Sequence, residues 1–257
     1  MVKSVAALAV LTALSLAIRT TVADVITENP NALDSQIANN GSGVIDTTSD
    51  NGDYQARIGE FYSPGGAAYV APFLLPTLPA GQVFTAANLQ TQLFGENATT
   101  DISGVSVQGN ADLYVLNRIS ASPTLLASDY YQGALDTSNT LLQAGFYNPT
   151  SVVRTDANTG PFTDTNTAAG ALLVTFLNNA EAAGDAGDYI FLRLNYNLPT
   201  IPVGNDFYAI LTENAGGSNE KPILTLTTGA AAESSVPEPA SLALLAIGSL
   251  SLLRKRK

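Results

Sequence analysis

The chain has 257 residues, 22 Asp and Glu against 11 Lys and Arg, a formal net charge of −11, and no Cys, His or Trp. Lack of His and Cys excludes a Ser-His-Asp triad, thiolate nucleophiles, imidazole bases, nitrogen or sulfur metal sites and disulfides. The acidic balance excludes nucleic acid as a partner, because phosphate recognition needs clustered Lys and Arg. Carboxylates, hydroxyls, amides and 10 Tyr are left, an inventory suited to hard cations or sugars.

Lys3 precedes an apolar run over residues 5–18, and Thr21, Val22 and Ala23 precede Asp24. A positive start, a short apolar centre and small residues at a cut site predict a signal peptide over 1–23, recognised by the Sec translocon and cleaved after Ala23. Residues 24–53 are rich in Asn, Asp, Ser, Thr and Gly and predict a loop-rich lead-in, with Val44 and Ile45 in a short strand.

A folded domain is expected over 54–229. Short β-type runs at 54–62, 68–74, 83–94, 104–107, 111–119, 124–131, 188–196, 207–212 and 222–227 alternate with turn signals such as Pro64-Gly65-Gly66 and Pro79-Ala80-Gly81. In 188–196, Ile190, Leu192, Leu194 and Tyr196 alternate with Tyr189, Phe191, Arg193 and Asn195, so this strand is central or faces a groove on its second side. One helix is expected near 171–183, with Leu172, Leu173, Phe176, Ala180 and Ala183 on one face and Gly184 at its end. Residues 137–144 suit a short helix or an irregular strand, and 155–167 an exposed loop. Many short strands with frequent turns predict an all-β domain, a two-sheet antiparallel β-sandwich of the jelly-roll kind. A linker, 230–235, leads to the last segment.

That segment, 236–257, places Pro237-Glu238-Pro239 before an apolar run and the basic cluster Arg254, Lys255, Arg256 and Lys257. The basic residues are a cytoplasmic stop that holds the chain at the inner membrane. The order resembles the PEP-CTERM sorting signal. The resemblance implies that an exosortase, a membrane transpeptidase, recognises Pro237, Glu238 and Pro239 and removes the tail, in organisms that make extracellular polysaccharide. The run Phe73-Leu74-Leu75-Pro76-Thr77-Leu78-Pro79-Ala80-Gly81-Gln82-Val83-Phe84-Thr85-Ala86-Ala87-Asn88-Leu89, the closing Lys221-Pro222-Ile223-Leu224-Thr225-Leu226, and residues 188–194 followed by Glu213 resemble DNRLRE-type domains over about 54–228. That resemblance implies a jelly roll akin to carbohydrate-binding modules.

Candidate sites follow from side-chain chemistry. Asp46, Asp50 and Asp53, with Asn51 and Gly52 between them, and Asp185 with Asp188 offer oxygens for a structural calcium, although Asp, Asn and Gly are also ordinary turn formers. Tyr130 and Tyr131 beside Asp129, and Tyr189 with Arg193 on one strand face, are the candidate sugar contacts; Tyr also fills cores and edges with its hydroxyl at the surface. A glycosidase needs two carboxylates about 5–10 Å apart, and among many acids the sequence singles out no pair, Glu60, Glu213 and Glu220 being the nearest to one. Arg57, Arg118, Arg154, Arg193 and Lys221 are scattered and are expected to pair with carboxylates.

The expected function is non-catalytic: an exported protein, transiently membrane-anchored and then at the cell surface or in the matrix, associating with or building extracellular polysaccharide. The alternatives are a carboxylate-dependent glycosidase or lyase and a homophilic adhesin or surface-lattice protein. Of the 11 cations, 6 lie in the two targeting ends, which leaves 21 acids against 5 bases over 24–236 and a formal charge of −16.

Overall fold

The computed structural model describes residues 23–39, 44–47, 55–62, 65–94, 109–149, 159–199, 207–214 and 221–231. The expected signal helix, the strand at 104–107 and the C-terminal helix lie outside them. The elements are β1 (Val25–Glu28), β2 (Ser35–Asn39), β3 (Ile45–Asp46), β4 (Gln55–Tyr62), β5 (Gly65–Leu74), β6 (Gln82–Phe94), β7 (Ala111–Ser120), β8 (Thr140–Tyr147), β9 (Thr159–Asp164), α1 (Thr167–Ala183), β10 (Tyr189–Tyr196), β11 (Phe207–Leu211) and β12 (Ile223–Ala230). No helix among the described residues is long and apolar enough to cross a membrane.

The strands form one antiparallel sheet in the order β1-β12-β6-β11-β4-β5-β10-β7-β8, with β9 on β6, β2 on β5 and β3 on β2. The hydrogen-bonded path is continuous, although its β1-β12-β6 part joins the rest through the single pair Ile210↔Leu93. One face carries the main core. Leu89, Leu93, Leu224 and Leu226 from one part of the path meet Leu113, Leu142, Leu192 and Leu194 from the other, together with Leu173 and Leu177 of α1. The central position expected for 188–196 is observed, since β10 lies between β5 and β7.

Three segments differ from the sequence expectation. The lead-in contributes strands: β1 pairs with β12 and β2 with β5. Their short polar runs carry little periodic signal, and pairing with apolar neighbours supplies what local propensity lacks. Residues 159–164, expected as loop, form β9 against the upper half of β6. Residues 124–131, expected as strand, contain a single 3₁₀ turn, Ala127–Asp129. There the Asp129 carboxylate accepts from the Leu126 amide at 2.8 Å, which closes the backbone locally instead of across a ladder. Residues 137–144 resolve to the strand alternative, β8.

Helix α1 starts four residues earlier than expected, where the Asn166 side chain caps the Ala169 amide, and it ends on Gly184 in the left-handed region. Its buried stripe is Ala169, Leu173, Leu177 and Ala180, while Leu172 is 45 % exposed. The helix is rotated from the expected face because it sits on the open edge of β6. The Asn178 amide accepts from Phe84 N and donates to Phe84 O, both at 2.9 Å, so it acts as a one-residue strand partner. Gly170 faces the Ala87 carbonyl closely enough that a Cβ there would lie 2.6 Å from that oxygen.

Tyrosines set the far end of the core. Tyr147 stacks on Tyr208 and Tyr208 lies beside Tyr196, with centroid separations of 5.6 and 6.3 Å. The Gly109 amide donates to the Tyr196 hydroxyl and the Tyr208 hydroxyl donates to the Gly109 carbonyl, which fixes the entry to β7.

Gly→Ala inside a helix ordinarily stabilises by up to about 1 kcal/mol. Gly170→Ala is expected to do the reverse, losing about 1–3 kcal/mol through overpacking, read as a lower urea midpoint with an unchanged slope.

Candidate functional site

Three places gather polar chemistry. The first lies on the face of β10 opposite the main core. Strand alternation puts Phe191, Arg193 and Asn195 on this face. A smaller apolar cluster of Ile37, Val70, Leu116, Leu125 and Phe191 flanks them, with Tyr130 and Tyr189 packed against it. The connection from β7 to β8 covers it. Arg193 is 0 % exposed: its Nε donates to Asn195 Oδ1 at 3.0 Å, Nη1 to the Asp129 carbonyl at 3.1 Å and Nη2 to Asp136 Oδ2 at 2.5 Å. The rings of Tyr114 and Tyr131 lie 5.1 and 5.4 Å from its guanidinium carbon. Arg118 grips Asp129 with both prongs, at 3.0 and 2.5 Å, while its guanidinium lies over Phe191 at 3.5 Å. Burial works against the Asp136 charge, but its bonds from Arg193, Asn139 and Ser138 outweigh it and hold the carboxyl below its usual range.

The sequence-derived set Tyr130, Tyr131, Tyr189 and Arg193 is therefore brought together, but around a filled interior. The Tyr131 hydroxyl donates to the Leu135 carbonyl and the Tyr130 hydroxyl to Gln132. Burial raises Tyr130 to about 12. A guanidinium already engaged and without exposed surface offers nothing to a ligand.

The second place is a buried acid. Asp34 is 1 % exposed, and its Oδ2 accepts from the Tyr69 hydroxyl at 2.6 Å and from the Glu213 amide at 3.0 Å. Its Oδ1 has no hydrogen-bond partner among the described residues, nor has the buried Oε2 of Glu213. Desolvation lifts the Asp34 carboxyl to about 6, against the lowering effect of the Tyr69 and Glu213 bonds. Glu213 also holds Lys221 at 2.7 Å. Arg118, Arg193 and Lys221 thus pair with carboxylates as expected. Arg57 lies over the Phe207 ring at 4.8 Å, and Arg154 is outside the described residues.

The third place is an open cavity of about 400 Å³ between β6 and the start of α1. Thr85, Asn88, Thr165, Asn166 and Thr167 supply its polar lining, and Gly170, Ala171 and Val174 its apolar side. The polar groups are held in place. Thr165 donates to Asn88 Oδ1 at 2.7 Å, Asn88 donates to Asp164 at 2.7 Å, and Thr85 donates to the Thr227 carbonyl at 3.2 Å. Sequence reading did not single out this set. The signal that could have found it is the capping residue type at Asn166, just before the helical run.

Of the candidate calcium residues, Asp46 is exposed at the end of β3, and Asp185 and Asp188 share the turn after α1, where the Asp188 amide donates to the Asp185 carbonyl at 3.0 Å. Asp50 and Asp53 lie outside the described residues, as do Glu220 and the side chain of Glu60. No group of three or more acidic side chains placed to hold a metal occurs among the described residues. Pro237, Glu238, Pro239, Arg254, Lys255, Arg256 and Lys257 also lie outside them.

At the C-terminal end the identity is clear. Residues 235–257 match the PEP-CTERM protein-sorting motif. The chain is thus an exported protein of the kind that exosortase processes, passing through a membrane-anchored intermediate to the cell surface or beyond. No curated protein matches the chain.

Removing one partner of a buried ion pair costs about 3–5 kcal/mol. Arg193→Met is expected to lose that much in urea unfolding, and adding Asp136→Asn is expected to recover part of it. For Asp34 the folded pKa lies above the unfolded value, so the native state binds the extra proton. Stability contributed by that proton is present below the unfolded value near 4 and is lost as pH rises through about 6. Asp34→Asn, which mimics the protonated acid, is expected to gain up to about 3 kcal/mol relative to wild type between pH 4 and pH 7.5. Parallel pH profiles in urea would reject this assignment.

Proposed function

We propose that the exported domain is a non-catalytic matrix protein that associates with extracellular polysaccharide through the cavity between β6 and α1. The observation that carries this reading is the cavity's lining. Hydroxyls and amides of Thr85, Asn88, Thr165 and Asn166 stand in an open groove beside Thr167, already oriented by bonds to one another, to Asp164 and to the backbone. Sugar hydroxyls exchange hydrogen bonds with such groups, and pre-orientation lowers the entropy cost of doing so. The sorting motif supports the setting by delivering the domain outside the cell.

The non-catalytic part of the reading is supported by how the buried acids are used. Asp129 and Asp136 neutralise arginines, Asp34 joins β2, β5 and the end of β11, and Glu213 holds Lys221. Each is committed to the fold. We also read the sheet as wrapped into a two-layer sandwich, supported by the single main core that takes side chains from both parts of the strand path.

Ala171 is exposed on the groove wall, so Ala171→Trp fills the groove without touching the core. Wild-type protein is expected to bind at least one polysaccharide on a glycan array, and Ala171→Trp to weaken that binding at least tenfold. Binding to no polysaccharide, or equal binding by the variant, overturns the assignment. Reducing-sugar release would favour the enzyme instead, and concentration-dependent assembly the lattice protein.

A further inference from the structure

We infer that one end of the sheet, the end carrying Asp24, the Pro79–Gly81 turn and Ala231, faces the membrane in the anchored intermediate, and that the opposite end points outward. The inference rests on the sorting motif and is independent of the polysaccharide reading.

The placement follows from strand direction. Strand β1 runs antiparallel to β12, so Val25 pairs with Thr227, and the Thr228 amide donates to the Asp24 carbonyl at 2.9 Å. The first residues after the expected signal-peptide cut therefore lie beside the last residues before the sorting tail. Next to them the Ala231 amide donates to the Gly81 carbonyl at 2.9 Å, which ties the exit of β12 to the turn that opens β6. The turn after α1 joins the same end, since the Gly187 amide donates to the Leu75 carbonyl at 2.9 Å. Strands β6, β8 and β10 run away from it and finish at Phe94, Tyr147 and Tyr196.

Both membrane-directed segments are tethered to this end by short chains. The N-terminal apolar run ends at Ile18, six residue steps before Asp24, and residues 232–239 separate Ala231 from the C-terminal apolar run that begins at Ala240. Six and nine residue steps reach at most about 20 and about 30 Å when fully extended. A 13-residue strand such as β6 is about 40 Å long. A tether shorter than the domain, attached at one end, keeps that end down and the other up. Electrostatics oppose closer contact: Asp24, Asp185 and Asp188 stand at this end of a domain with formal charge −16, and anionic lipid repels them. The tail alone thus holds the domain, and its removal frees it.

The chain has no Cys, so single-Cys labelling is clean. Ala80→Cys marks the inferred membrane end and Pro199→Cys, just past β10, the outer end; both positions are exposed. Each variant begins at Asp24, keeps its tail, carries a fluorophore and is anchored through that tail in vesicles of phosphatidylglycerol and phosphatidylcholine containing headgroup-spin-labelled lipid. The label at residue 80 is expected to be quenched at least twofold more than that at 199. Equal or reversed quenching overturns the inference. Inserting 20 Gly/Ser residues after Ala232 is expected to abolish the difference, and a difference that survives the insertion overturns the tether as its cause. Vesicle binding by protein spanning residues 24–235 would likewise contradict a domain held by its tail alone.

Discussion

The guanidinium of Arg193 is the constraint on which the back of the sheet depends. A charge without exposed surface is tolerated only if its donors are met and its charge balanced. Here the partners come from β10 itself and from the connection between β7 and β8, through Asn195, the Asp129 carbonyl and Asp136. The covering segment is consequently fixed in one place, although it has no regular structure beyond one 3₁₀ turn. Asp129 binds Arg118 by its carboxylate and Arg193 by its carbonyl, so one residue couples both arginines to the same loop. A hydrocarbon side chain at 193 would bury as much surface but would not choose among loop conformations.

On the other face the sheet is organised by its edges. Strand β9 covers only the upper half of β6, and α1 completes the cover with the Asn178 amide and with Thr165 just before it. An uncovered strand edge invites pairing with another chain, and a helix laid along it removes that template while leaving a polar recess at its start. The recess proposed to meet polysaccharide is thus a by-product of closing an edge. Its residues are small and polar because a helix can approach a strand closely only over Gly and Ala, with Thr and Asn at the rim.

The same economy of connection governs topology. The first strand and the last are neighbours, so the chain enters the domain and leaves it toward the sorting motif at one end. The sorting motif is therefore attached at one pole of the domain, the pole where β1 begins.

The strands were legible where apolar residues alternate or run together, as in β4 to β7 and β10 to β12, and so was the helix, from its period and from Gly184. Strands β1, β2 and β9 were not, because their stability comes from partners distant in sequence. The candidate site was legible only in membership. The sequence put Tyr130, Tyr131, Tyr189 and Arg193 forward, and folding placed them on one face of the sheet with the Arg193 guanidinium buried and bonded to Asn195, Asp129 and Asp136. By itself the sequence determined the sorting tail, the acidic charge, the absent chemistries and the strand-rich class, since these depend on composition, local order and short-range period. Only the tertiary structure decided which arginine is buried, which acid has its pKa raised to about 6, where the polar groove opens and which end bears the sorting tail. Each of these depends on contacts between segments tens to hundreds of residues apart, and nothing in the local pattern encodes which segments will meet.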